Sequence, residues 1–205
     1  YEDFLKYHEE YYHPSNSYIY IYGDMDVNER LEYLDREYLS DFDVSDVDIH
    51  ANIERQAAFD KPVYETKPYA ITEDESLEDN TYLSYNAVIG TSVDAKLYLA
   101  FQILDYALVM TPGAPVKQAL LDAGISTDVY SSYETSLYQP VYSIVAKNSN
   151  SKEQDRFVSV INDTLEKLVK DGINERTIEA GINYYEFKYR EADYGPYPKG
   201  LMYYL

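Results

Sequence analysis

Hydrophobic and polar positions change period several times along the chain, and each change predicts an element. Phe4, Tyr7 and Tyr11 recur at helical spacing with Leu5, His8 and Tyr12 beside them, and Pro14 predicts that this helix stops at His13. Residues 17–22 then alternate Ile19 and Ile21 against Tyr18, Tyr20 and Tyr22, the period of a strand, which Gly23 ends. Asp24 or Asp26 is placed to cap a helix carrying Val27, Leu31, Leu34 and Tyr38, and an acidic loop comes after it over 41–48. Residues 62–71 and 81–89 predict two strands joined by an acidic turn, the two prolines of the first pushing it towards a sheet edge.

Ser92 is placed to cap a long apolar helix that reaches about Met110, and Thr111-Pro112-Gly113-Ala114-Pro115 breaks it. Pro115 suits the first turn of a short helix ending at Gly124, and strands are predicted over 127–136 and 140–147. Ser151 and Gln154 have the spacing of a capping box before a helix with Phe157, Ile161, Leu165 and Leu168 on one face. Asp171-Gly172 closes that helix. Asn174 opens another, with Ile178, Ile182, Tyr185 and Tyr189 on one side, which fades near Gly195. Adjacent strand pairs and paired helices predict an α+β fold, with a largely antiparallel sheet and helices packed on one of its faces.

Composition narrows the function classes. Lys and Arg number 17 against 37 Asp and Glu, a net charge of −20, which disfavours binding to a nucleic acid backbone. With 45% hydrophobic and 16% aromatic residues the chain has the apolar area that ordering needs, 26 of those residues being Tyr and none Trp. Absence of Cys excludes disulfides, thiolate metal sites and a cysteine nucleophile. The longest apolar run, 97–110, is interrupted by Gln102 and Asp105, so a soluble chain without a membrane span is predicted. Tyr1 in place of Met, with no leader, points to a piece excised from something longer.

Candidate chemistry is thin. His8-Glu9-Glu10-Tyr11-Tyr12-His13 invites a zinc reading, but ligands on one helix face need a spacing of four, and a spacing of five separates His8 from His13 by about 140°. Asp24, Asp26 and Asn28 copy the first ligands of a calcium loop, yet Glu29 replaces the required Gly and Asp35 the bidentate Glu, which favours helix capping. Asp41, Asp43, Asp46 and Asp48 read better as a solvated acidic loop than as a cation site. His50 lies beyond them, and none of the three His residues sits in a nucleophile setting. No glycine-rich phosphate loop occurs, and the acidic residues single out no general acid and base. The tyrosines can line a carbohydrate or peptide surface. By residues alone, this is an acidic α+β domain with no catalytic, cofactor-binding or metal site assigned.

Longer stretches say more. Phe4 through Gly23, with Tyr-Tyr-His-Pro-Ser-Asn followed by Tyr-Ile-Tyr-Ile-Tyr-Gly-Asp, resembles the junction segment of insulinase/pitrilysin-type zinc metallopeptidases, in the presequence-protease branch. Thr111-Pro112-Gly113-Ala114-Pro115, Gln139-Pro140 and Gly195-Pro196-Tyr197-Pro198-Lys199-Gly200-Leu201 resemble later segments of that branch in the same order. Ala114 and Lys199 stand where Ser and Arg are expected, and Ser126 lies in a normally glycine-rich turn.

The resemblance implies a clamshell of two homologous halves around a chamber where short unfolded peptides are cut. Its zinc ligands lie upstream of the junction helix and its assisting Arg and Tyr in the other half. Residues 1–205 would then form one non-catalytic domain, the second of the first half, with 1–16 a junction helix from the preceding catalytic domain and 194–205 the start of a linker. Zinc would belong to the parent protein and no cofactor to this chain. The implied partners are the preceding catalytic domain, the second half and unfolded peptide substrates, with neither nucleic acid nor membrane. A bacterial source would favour the cytoplasm. Two other readings stay open: a non-catalytic binding or structural subunit of the same fold, and a tyrosine-rich glycan-binding module.

Overall fold

Alternation in three segments builds the sheet. In the computed structural model, which describes residues 1–43 and 54–204, β1 (Thr81–Val88), β2 (Asp128–Glu134) and β3 (Val141–Ser149) form an antiparallel sheet in the order β1-β3-β2. Opposite Ile144 stand Tyr85 on one side and Ser131 on the other. Along β3 the residues Tyr142, Ile144 and Ala146 are buried, while Val141, Ser143 and Val145 on the other face are only partly covered. One face is therefore the core face, and the helices supply what covers it.

Those helices are α3 (Ala95–Asp105), α4 (Pro115–Asp122), α5 (Gln154–Asp171) and α6 (Glu175–Glu191). Phe157 and Ile161 of α5 are almost wholly buried against Val109, Val116, Leu120, Val129 and Ile144, each contributing about 1.5–3 kcal/mol. A π-helical turn, Tyr106–Met110, continues from α3 and buries Ala107, Leu108 and Val109. Gly181 lets α6 lie close to α3, since a Cβ there would meet the Tyr106 ring at 3.2 Å and Ile103 at 3.3 Å. Taken together, Ala95–Asp122 are long and apolar enough to cross a membrane by length and composition alone. They are broken at Thr111 to Ala114, however, and Phe101, Leu104, Leu108, Val109, Val116 and Leu120 among them pack into this core.

All of this belongs to one of two units, Arg55–Glu191; the other comprises Tyr1–Glu54 and Ala192–Leu205. The second unit holds α1 (Glu2–Tyr11), α2 (Val27–Glu37) and α7 (Lys199–Tyr204). Its central contact joins residues far apart in sequence. The Tyr20 ring stacks on Tyr204 at 4.3 Å and its hydroxyl donates to the Gly200 carbonyl at 2.8 Å, while the Tyr22 ring lies directly against the Gly200 Cα. Gly is required there because a Cβ would overlap that ring.

Several predicted details change. Residues 17–22 and 62–71 are not strands: alternation sets which side chains share a face, but a strand also needs a hydrogen-bonded neighbour, and neither has one among the described residues. The first helix ends at Tyr11, because the residue before Pro14 is driven to an extended conformation, φ −117° and ψ 145° at His13. Asp94 rather than Ser92 caps α3, accepting from Leu97 N at 3.0 Å, since the helix begins at Ala95 and Ser92 lies two residues before its cap position. Asn150, not a Ser151–Gln154 box, caps the turn leading into α5, because Ser151 already lies within that turn. Asp26, by contrast, does cap α2, accepting from Asn28 N and Glu29 N.

Gly200→Ala is expected to force the Tyr22 ring off α7 at a cost of about 1–3 kcal/mol. Hydrogen exchange of the α7 amides, Met202 among them, should accelerate relative to the unsubstituted protein, with exchange across β3 unchanged.

Candidate functional site

The sequence-level candidates do not converge. His8 stacks on Tyr12 at 4.7 Å, whereas His13, outside the helix, accepts the Ser15 N–H with Nδ1 at 3.2 Å and sets its ring edge-on to Phe42. Each imidazole is engaged locally, and the two do not share a helix face. Asp26 is occupied as a helix cap, and Asp41 ends a short 3₁₀ turn. Asp46, Asp48 and His50 lie outside the described residues. Among the described residues no three His, Asp or Glu side chains are grouped to hold a metal ion.

Convergent polar chemistry is found instead inside the larger unit. Asp105 ends α3 and is 6% exposed; its Oδ1 accepts from the Tyr142 hydroxyl of the central strand at 2.8 Å. Ser131 on β2 has a buried hydroxyl without a hydrogen-bond partner, close enough to favour the ionised Asp105. Burial raises the Asp105 carboxyl above its ordinary value, and the neighbouring hydroxyls only partly oppose this. Burial likewise raises the Tyr142 hydroxyl, with the Asp105 charge adding to it. Tyr185 of α6 is pushed up to about 12, first by burial and then by the Asp105 charge.

In the sequence Asp105 stands out only as an interruption of an apolar run. A charged residue at a core position, with strands carrying inward hydroxyls further along the chain, is the available signal, but which hydroxyl it meets depends on the sheet register. Chemically the group ties the end of α3 to the central strand.

Two open clefts lie on the same unit. One of about 610 Å³ is lined by Asp79, Gly124, Ser126, Thr127, Asn148 and Lys152 among others. Another, of about 470 Å³, runs between α4 and α5 past Gln118, Asp163 and Lys167. Ser126 donates to the Asp128 carbonyl, and Gln118 to Asp122, so their polar groups serve the fold.

Fold and site together define an α+β domain whose buried polar residues join α3 to the central strand. The chain belongs to the peptidase M16 family as its inactive domain: residues 1–185 match the family model described as the Peptidase M16 inactive domain. It is 42% identical over 205 residues to Protein HypA of Clostridium perfringens, covering 100% of this chain and 21% of that protein. To presequence protease 1, chloroplastic/mitochondrial, of Arabidopsis thaliana it is 34% identical over 203 residues, covering 98% of this chain and 19% of the protease. The chain thus spans about a fifth of the length of these curated relatives. Its fold is similar to the inactive peptidase domain of a Bordetella parapertussis protein described as a zinc protease, with a TM-score of 0.52 and 14% identity over 59% of this chain and 66% of that one. The resemblance drawn from the sequence motifs is therefore correct at the level of family and branch.

Asp105 also gives the domain a pH dependence. Its folded-state affinity for a proton exceeds that of the unfolded chain, so its contribution to stability falls as pH rises from the ordinary 3.8 through the raised folded value, then levels off. Asp105→Asn keeps an acceptor for Tyr142 and offers Ser131 a donor, so it should abolish this decline and leave β3 at least as protected at neutral pH. Tyr142→Phe should instead lower protection by about 1–3 kcal/mol. Urea-dependent hydrogen exchange across β3 between pH 4 and 8 reads both.

Proposed function

We propose that this chain is the second, non-catalytic domain in the first half of a zinc-dependent metalloendopeptidase, where it forms part of the wall of a chamber in which short unfolded peptides are cut. The observation that carries the reading is the match over 98% of the chain to a presequence protease, within a family model named for its inactive domain. On this reading residues 1–16 join the domain to a preceding catalytic domain, and 194–205 lead into the next half.

The surface of the smaller unit supports such a setting. Neither α1 nor α2 buries any residue, and Phe4, Tyr7, Tyr12 and Leu31 are all more than half exposed. An amphipathic helix with both faces wet gains little from folding alone, which makes these side chains suitable for packing against other domains of the same polypeptide.

Net charge supplies a second role. At −20 the wall would draw basic peptides towards the chamber by long-range attraction, an effect that salt screens over about 8 Å at physiological ionic strength.

The test uses two proteins. The full-length protein is expected to hold zinc and cleave a quenched unstructured peptide, while the isolated chain holds none and cleaves nothing. One tightly held zinc per isolated chain would overturn the assignment. For the full-length enzyme, KM for a cationic peptide should rise several-fold with added salt while that for a neutral peptide changes little; equal responses would remove the steering role.

A further inference from the structure

Residues 62–71, which carry a strand pattern but no partner, lie in a strap fixed at both ends of β1. At one end, Gln139 clasps the main chain of Gln56, its Oε1 accepting from Gln56 N at 2.7 Å and its Nε2 donating to Gln56 O at 3.3 Å. Gln139 stands beside the C-terminal end of β1, where Ile89 N donates to the Pro140 carbonyl. At the other end, the Tyr69 hydroxyl bonds the Asn80 carbonyl and side chain, and its ring meets Tyr82 edge-on at 5.5 Å. The chain between these anchors therefore runs antiparallel to β1. Over 13 residues it reaches roughly 43 Å, more than the roughly 27 Å of the strand, and residues 55–70 are exposed throughout.

Parity fixes how the strap fits. Because Ile89 N bonds to Pro140, the odd-numbered residues of β1 from Leu83 onward face β3 with their main-chain groups, and the even-numbered Ser84, Asn86 and Val88 direct theirs to the free edge; the register shift between Thr81 and Leu83 puts its extra residue on β3, so Tyr82 keeps the same parity. The Tyr69–Tyr82 contact sets odd residues of the strap opposite even residues of β1. Glu65 and Lys67, two apart, already share a face through an ion pair at 3.1 Å, as in a strand. Pro62 and Pro68 are both even, so each missing N–H falls on the side away from β1. The ring contact sets the register, the two prolines agree with its parity, and the ion pair marks the segment as extended.

We propose that residues 62–71 are a displaceable fourth strand that closes along the outer edge of β1, antiparallel, with Tyr69 opposite Tyr82, Lys67 opposite Ser84, Glu65 opposite Asn86 and Val63 opposite Val88. Closed, the strap pairs the outward groups of β1 and presents two prolines to solvent, which blocks addition of a further strand. Open, it leaves four residues of β1 free to pair with another extended chain.

Residue-resolved hydrogen exchange on the full-length protein tests this. The Tyr82, Ser84, Asn86 and Val88 amides should be protected. Lys67→Pro, which places a proline on the inward parity, should speed their exchange by about tenfold or more, while Thr66→Pro, on the outward parity, should leave it within about twofold. Unprotected amides in the unsubstituted protein, or equal responses to the two prolines, would overturn the proposal. Both substitutions fall in an exposed segment, so neither threatens the core.

Discussion

The carboxyl of Asp105 sits at the end of the most apolar helix and takes its hydrogen bond from Tyr142 in the middle strand of the sheet. Buried charge is tolerable only when it is paired or neutralised, so this one bond fixes how α3 sits across β3. Neighbouring elements depend on that placement. The π turn after Asp105 buries Val109, and α6 packs on α3 where Gly181 leaves room. Tyr185 comes close enough to Asp105 for its hydroxyl to feel the charge.

A second constraint governs the smaller unit. Tyr20 and Tyr22 engage Gly200 and Tyr204, so two stretches about 180 residues apart meet through ring stacking, one hydrogen bond and the absence of a Cβ. Both stretches lie in or beside segments that carry the resemblance read from the sequence. Part of the tyrosine excess has its reason here: a ring supplies flat apolar area and a hydroxyl that reaches the main chain. Other tyrosines obey the same rule, Tyr142 towards Asp105, Tyr189 towards Gln102 and Tyr69 towards Asn80.

For an inactive peptidase domain the informative chemistry is polar chemistry spent on structure. His13, Asp26, Asp94 and Asn150 each satisfy main-chain N–H groups at the start of a turn or helix. Asp105 anchors a core. Several of these residues are ligands or acid–base groups by type, and it is their partners that assign them to the fold.

Hydrophobic period is enough to place α2, α4, α5, α6 and the three paired strands, because burial on one face repeats with the backbone geometry of each element. The long motifs are enough to place the family. What local pattern leaves undecided is everything that needs a second segment. Residues 17–22 and 62–71 alternate as strands do and are unpaired, since pairing is a property of two chains of main-chain groups, not one. Ser92 and Ser151 have capping chemistry, yet Asp94 and Asn150 do the capping, because α3 begins only at Ala95 and Ser151 is already inside a turn. Asp105 is visible in the sequence as a charge in an apolar run; only the sheet register brings Tyr142 and Ser131 to it and makes that charge a structural tie.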